Sequence, residues 1–214
     1  MEHIIKNKQE DLSEEERDIL FNAYKNKISS YRNTFQIIKA YESKESKKND
    51  SPYLKYIKEY KLKIKKEFQI LCDNVINNID KFILPKSFDK DNKIYYYKKK
   101  ADYCKYIIEN FDDTGETEMY LDMYITSYNN SIELLKNSNH KDSVKLGLLL
   151  GLSTFYYDVI GNKMYAYKLA SDTLNKSKKE LEGADENDPK IQNALSMKNL
   201  IEETVARWKN ENNF

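Results

Sequence analysis

The chain is poor in residues that bend a backbone. Its 214 residues hold only five glycines and three prolines, too few for the many tight turns of a β-rich fold. Its two histidines, His3 and His140, are far apart and belong to no ligand cluster, which leaves little for a metal site or for His-based catalysis. The two cysteines, Cys72 and Cys104, have no metal or redox spacing. Their apolar and aromatic neighbours mark them as buried thiols in a reducing compartment. No apolar run approaches the ~18 residues of a membrane span. The opening MEHIIKNKQEDLSEEE lacks the apolar core of a signal peptide. A formal net charge of +1 speaks against a general nucleic-acid binder. No cofactor is expected, and the expected location is the cytoplasm.

What the chain has is helical periodicity. Residues 1–12 read as a flexible lead-in. Ser13 and Glu16 form a capping box, and apolar residues then recur at three and four from Ile19 to Ile38, predicting a helix to about Lys44. The run SKESKKNDSP is a polar connector. Ser51 caps a second long helix with Pro52 in its first turn, and Pro85 ends it near Leu84. A third helix starts at Asp89 or Asp91 and stops at DDTG, where Gly115 breaks it. The fourth runs from about Glu116 to Asn137, the fifth from about Asp142 to Gly161, and the sixth from Met164 to Leu181, stopping at Gly183. Asp188 and Pro189 open the last, which reaches about Asn210. The expectation is an all-α fold, an antiparallel array of about seven helices, with residues 13–214 as a single domain. No 34-residue repeat fits these lengths.

The stretch YYYKKKADYCKYIIENF, Tyr95 to Phe111, carries the densest chemistry. Lys98, Asp102 and Lys105 share one helix face, with Tyr106 on its shoulder. An Asp between two lysines can hold both ammoniums beside a phenol, a receptor for phosphate. The plainer reading is a solvated Lys-rich face, since such pairs add only about 0.2–0.5 kcal/mol each. Lys25 and Arg32, seven apart, also project from one helix face. No nucleophile–base pair stands out, so no enzyme is expected.

Four stretches, in order, resemble the 14-3-3 family: LSEEERDILFNAYKNKISSYR, YKLKIKKEFQILCDNVINNIDKFIL, IYYYKKKADYCKY and KLGLLLGLSTFYYDVI. The final signature survives only as SMKNLIEETVARW. The resemblance implies an all-helical adaptor whose groove binds phosphoserine or phosphothreonine segments of client proteins. It assigns phosphate binding to Lys25, Arg32, Lys105 and Tyr106; Lys98 and Asp102, from the spacing reading, support that set. It places Leu150, Leu200 and Trp208 at apolar groove positions, and Asp158 as an acid that positions the cations. By periodicity alone Leu150, Leu200 and Trp208 read equally well as core.

The departures are specific. Lys105 stands where the family has arginine, which keeps the charge but loses the bidentate fork. Gly151 and Thr204 stand where it has two asparagines that fix the ligand backbone. Two helices that supply much of the family's dimer contact are not seen before Ser13, so a homodimer is expected to be weakened or absent in the chain as written. Two other readings stay open: a helical scaffold binding an unphosphorylated partner through a degenerate groove, and, more remotely, an RNA-binding helical array whose tyrosines stack on bases.

Overall fold

A computed structural model describes residues 2–48, 50–111, 114–136 and 142–212. All regular structure among them is helical, in eight α-helices. They are α1 (Glu2–Asn7), α2 (Glu14–Glu45), α3 (Tyr53–Asn78), α4 (Lys90–Asn110), α5 (Thr114–Leu134), α6 (Ser143–Asp158), α7 (Lys163–Leu181) and α8 (Pro189–Asn212). α3 runs on into a π-helical turn, Ile79–Ile83, and a 3₁₀ turn, Leu84–Lys86. The all-α antiparallel array expected from the sequence is what forms.

The helix starts follow from side-chain caps. Ser13 accepts from the Glu16 amide at 3.2 Å while Glu16 accepts from the Ser13 amide at 2.7 Å, the reciprocal pair that satisfies two orphan donors. The side chains of Asp89, Asp142 and Asn162 accept from first-turn amides of α4, α6 and α7, without the return bond. Gly183, with φ +69°, follows α7 in the left-handed conformation that glycine adopts without strain. Gly115 does not break α4. That helix ends at Asn110, and Gly115 lies in the first turn of α5. Phe111 turns the chain into extended geometry first, with its ring buried against Phe68. The expected end of the fourth helix, Asn137, lies outside the described residues.

The chain divides into two compact units, Met1–Tyr124 and Ile125–Phe214. In the first, α2, α3 and α4 pack around aromatic rings. Phe68, fully buried, meets Phe35 edge-on at 5.4 Å and Tyr31 at 5.8 Å. Such edge-to-face contacts contribute about 0.5–1.5 kcal/mol beyond burial. Cys72 and Cys104 are both buried here, and burial pushes the Cys104 thiol up to about 12.

Residues 1–12, read as a lead-in, contribute α1 and bury Ile5 and Leu12. Asp11 anchors the segment. Its carboxylate accepts from Tyr96 at 2.7 Å, Ser87 at 2.7 Å and Asn92 at 2.8 Å. The Lys86 ammonium donates to the carbonyls of Ile5 and Lys8, closing the C-terminal end of α1.

The second unit packs α6, α7 and α8 around Leu146, Leu150, Ala166, Ala170, Ile201 and Trp208. Ala166, Ala170 and Ala194 are buried in the same cluster. The Trp208 indole stacks on Tyr157 with centroids 4.3 Å apart and planes 4° from parallel.

Candidate phosphate-binding site

The four residues assigned to phosphate all lie in the first unit, Lys25 and Arg32 on α2, Lys105 and Tyr106 on α4. Packing brings the two helices together through aromatic contacts. Tyr24 meets Tyr103 at 6.3 Å, and Tyr103 meets Tyr106 edge-on at 5.9 Å. On this layer the Arg32 guanidinium lies over the Tyr106 ring, 5.5 Å from its centroid. The ring face attracts the cation by its quadrupole, and the guanidinium N–H donors can still serve an acceptor. Arg32 and Lys25 are both exposed. Among the described residues neither forms an ion pair.

Burial pushes the Tyr106 phenol above its ordinary value, with the Asp102 charge adding to it and Arg32 opposing it. The group therefore stays protonated and can donate to an anionic oxygen at neutral pH. Lys105 pairs with Glu109, one turn on, at 3.5 Å and half-exposed. That carboxylate is a site residue the sequence reading missed. Its signal was there, as an acid four residues after a lysine on one helix.

Asp102 does not clasp Lys98 and Lys105. No ion pair within 4.0 Å joins it to either among the described residues. Burial dominates its behaviour, raising its carboxyl above the ordinary 3.8, while Lys99, Lys98 and Lys105 pull it down. The lysines at 98–100 have three different surroundings. Lys98 is exposed. Lys99 lies over the rings of Phe21 and Tyr95. Lys100 pairs with Asp80 at 2.7 Å.

The remaining assigned residues lie in the second unit. Leu150, 9% exposed, and Trp208, 1% exposed, belong to its core. Leu200, 48% exposed, does not. Thr204 is buried, and its hydroxyl donates to the Leu200 carbonyl at 2.8 Å within α8. A Cβ on Gly151 would stand 2.9 Å from the Tyr128 hydroxyl and 3.2 Å from its ring. Tyr128 thus fills the space an asparagine would need. Asp158 is exposed at the last position of α6.

No group of three or more His, Cys, Asp or Glu among the described residues could hold a metal ion. His140 lies outside those residues, as does the side chain of His3. No helix among them is long and apolar enough to cross a membrane.

Comparison with known proteins agrees with this architecture. The chain is 29% identical over 200 residues to "14-3-3 protein 2" of Solanum lycopersicum, covering 93% of this chain and 78% of that protein. It is 29% identical over 203 residues to "14-3-3-like protein GF14-G" of Oryza sativa subsp. japonica, covering 94% and 78%. It is 28% identical over 200 residues to "Checkpoint signal transducer rad24" of Schizosaccharomyces pombe, covering 93% and 75%. A family model described as "14-3-3 protein" matches residues 1–209, nearly the whole helical array, and the chain belongs to the 14-3-3 family.

Proposed function

We propose that the chain binds phosphoserine or phosphothreonine segments of client proteins, and that Lys25, Arg32, Lys105 and Tyr106 take the phosphate. Membership of the family makes it a non-enzymatic adaptor in signalling. The observation that carries the finer reading is Arg32 over Tyr106. It presents a guanidinium edge and a protonated phenol from two helices, together with the ammonium of Lys105 on the same turn of α4. A phosphate dianion accepts charge-assisted hydrogen bonds from each of these donor types.

The Tyr106 ring restrains Arg32 before a ligand arrives, which lowers the ordering cost of binding. Lys98 and Asp102 support the site through their charges. In the same reading Leu200 and Asp158 are groove residues of the second unit, an apolar side chain and an acid. Leu150, Gly151, Thr204 and Trp208 act through the packing of the second unit. Binding takes place in the cytoplasm and involves neither nucleic acid nor a membrane span.

The test is a fluorescence-polarisation titration with matched phosphorylated and unphosphorylated peptides. Arg32→Ala should weaken phosphopeptide binding by about 1.5–3 kcal/mol, the scale of a hydrogen bond to a charged group. An unchanged affinity would remove Arg32 from the site. Equal binding of both peptide forms would favour the unphosphorylated-partner scaffold, a reading that Lys105–Glu109 pairing and the filled space at Gly151 motivate.

A second copy of the chain is the partner proposed for the far end of the first unit. There α2 and α3 leave a cavity of about 530 Å³ lined by Ile37, Ile38, Tyr41, Tyr53, Tyr56 and Tyr60, among others. All four tyrosines are more than half exposed. The family resemblance places dimer contacts on these two helices.

A further inference from the structure

The polar connector between α2 and α3 contains a Ser-Pro pair, Ser51–Pro52, that the phosphate site does not use. Its hydroxyl is committed twice. Ser51 Oγ donates to Glu45 Oε2 at 2.6 Å and accepts from the Tyr53 amide at 3.3 Å, in the first turn of α3. Glu45 is the last residue of α2 and is nearly buried, although charged. Its other oxygen accepts from Lys48 Nζ at 2.6 Å. The Lys48 and Ser51 hydrogen bonds hold its carboxyl below the usual carboxylate value. Glu45 also lines the tyrosine cavity. The turn is made by Asp50, whose φ of 58° places it in the left-handed region that Asp tolerates. Ser51 is half-buried, whereas Lys47, Lys48, Asp50, Pro52 and Tyr53 beside it are exposed.

We propose that Ser51 is a phosphorylation site for a proline-directed protein kinase, and that its phosphate expels the Glu45 carboxylate from the end of the tyrosine cavity. The kinase supplies ATP as phosphoryl donor. The Ser51 Oγ–P bond forms, the bond from the γ-phosphorus to the bridging oxygen breaks with its electron pair leaving on ADP, and the hydroxyl proton passes to the kinase's base. The product places a charge of about −2 where a hydroxyl had donated to a carboxylate. Two anions at that separation cannot share a nearly buried position. Lys48, now paired with Glu45 at 2.6 Å, gives the phosphate a cation to pair with, and Glu45 loses it. A carboxylate stripped of both partners does not stay out of water. At the other side of the turn the same phosphate stands at the N-terminus of α3, where a negative charge is stabilising. One modification therefore loosens the end of α2 and firms the start of α3. The device is independent of the phosphate site on α2 and α4.

The experiment uses the full chain. It is treated with a proline-directed kinase and ATP, and the modified residue is located by mass spectrometry. A chain with phosphoserine encoded at 51 is then compared with wild type and Ser51→Ala by hydrogen–deuterium exchange. Phosphate should appear at Ser51. In the phosphoserine chain, amides of residues 42–48 should exchange faster, and those of 53–57 about two- to fivefold slower, the factor a charge at a helix N-terminus supplies. Ser51→Ala loses the Glu45 bond without gaining charge, so its 53–57 amides should not slow. A kinase that modifies a peptide of residues 44–58 but not the folded chain would overturn the proposal. So would a phosphoserine chain whose exchange is unchanged in both segments.

Discussion

Arg32 on α2 and Tyr106 on α4 meet as a cation over a ring, 5.5 Å from guanidinium carbon to ring centroid. They are distant in sequence, and the contact depends on α2 and α4 packing as they do. The tyrosine therefore has two separable parts. Its ring lies under the cation, and its hydroxyl is the donor proposed for the phosphate.

The first prediction separates those parts. Tyr106→Phe keeps the ring and should weaken phosphopeptide binding by about 1.5–3 kcal/mol, one hydrogen bond to a charged group. Tyr106→Leu also frees Arg32 and should lose roughly 0.5–1 kcal/mol more. Fluorescence polarisation on both variants decides it, and equal affinities would mean the ring does nothing for Arg32.

Lys105 gives the second. Lys105→Arg should tighten phosphopeptide binding by less than about 1 kcal/mol, because a guanidinium can form two parallel bonds where an ammonium acts as a point charge. Glu109→Gln releases Lys105 from its ion pair and should tighten binding too, more at low salt than at high. A loss of affinity in both variants would show that Lys105 and Glu109 act as a fixed unit.

Asp102 predicts a pH dependence. Its native carboxyl is raised by burial above 3.8, so the folded state binds its proton more tightly than the unfolded state does. The stabilising contribution is present when the group is protonated, at acid pH, and is lost as pH rises through the folded value. At neutral pH the charge is a burden on the fold. Asp102→Asn should therefore raise Tm by a few degrees at pH 7, and the gain should shrink as pH falls and the wild-type carboxyl protonates. Thermal unfolding from pH 3 to 8 measures it. A lower Tm at pH 7 would mean the charge is needed by the neighbouring lysines.

Restoring the asparagine at 151 should fail. The new Cβ would meet the Tyr128 hydroxyl at 2.9 Å, and overpacking of this kind typically costs about 1–3 kcal/mol. Gly151→Asn is expected to unfold at lower denaturant, and Tyr128→Phe in the same chain to recover part of the loss. A fully stable Gly151→Asn would show that the Tyr128 ring moves aside freely.

Self-association through the tyrosine cavity is the last. Light scattering after size exclusion should show the 25.4 kDa chain at about 1 μM and a rising mass towards 100 μM, the range expected of a small contact. Tyr60→Lys should suppress the rise. A mass unaffected by that change would place any dimer contact elsewhere.

The sequence by itself determined the helices after Ser13, but not α1. Ser13 with Glu16, Asp89, Asp142 and Asp188 with Pro189 marked their starts because caps are local chemistry. The three- and four-residue apolar spacing gave their faces for the same reason. It also placed Lys25 and Arg32 on one face, and Lys105 next to Tyr106. Only the tertiary structure decided what each side chain does. Trp208 and Leu150 fall in the core while Leu200 stays exposed, since periodicity marks an apolar face but not the neighbour that covers it. Asp102 lies half-buried without clasping its lysines, because burial depends on how α4 packs and not on spacing along it. The space beside Gly151 is filled by a tyrosine from another helix. No local rule reports that, because a cavity's shape is set by residues distant in the chain.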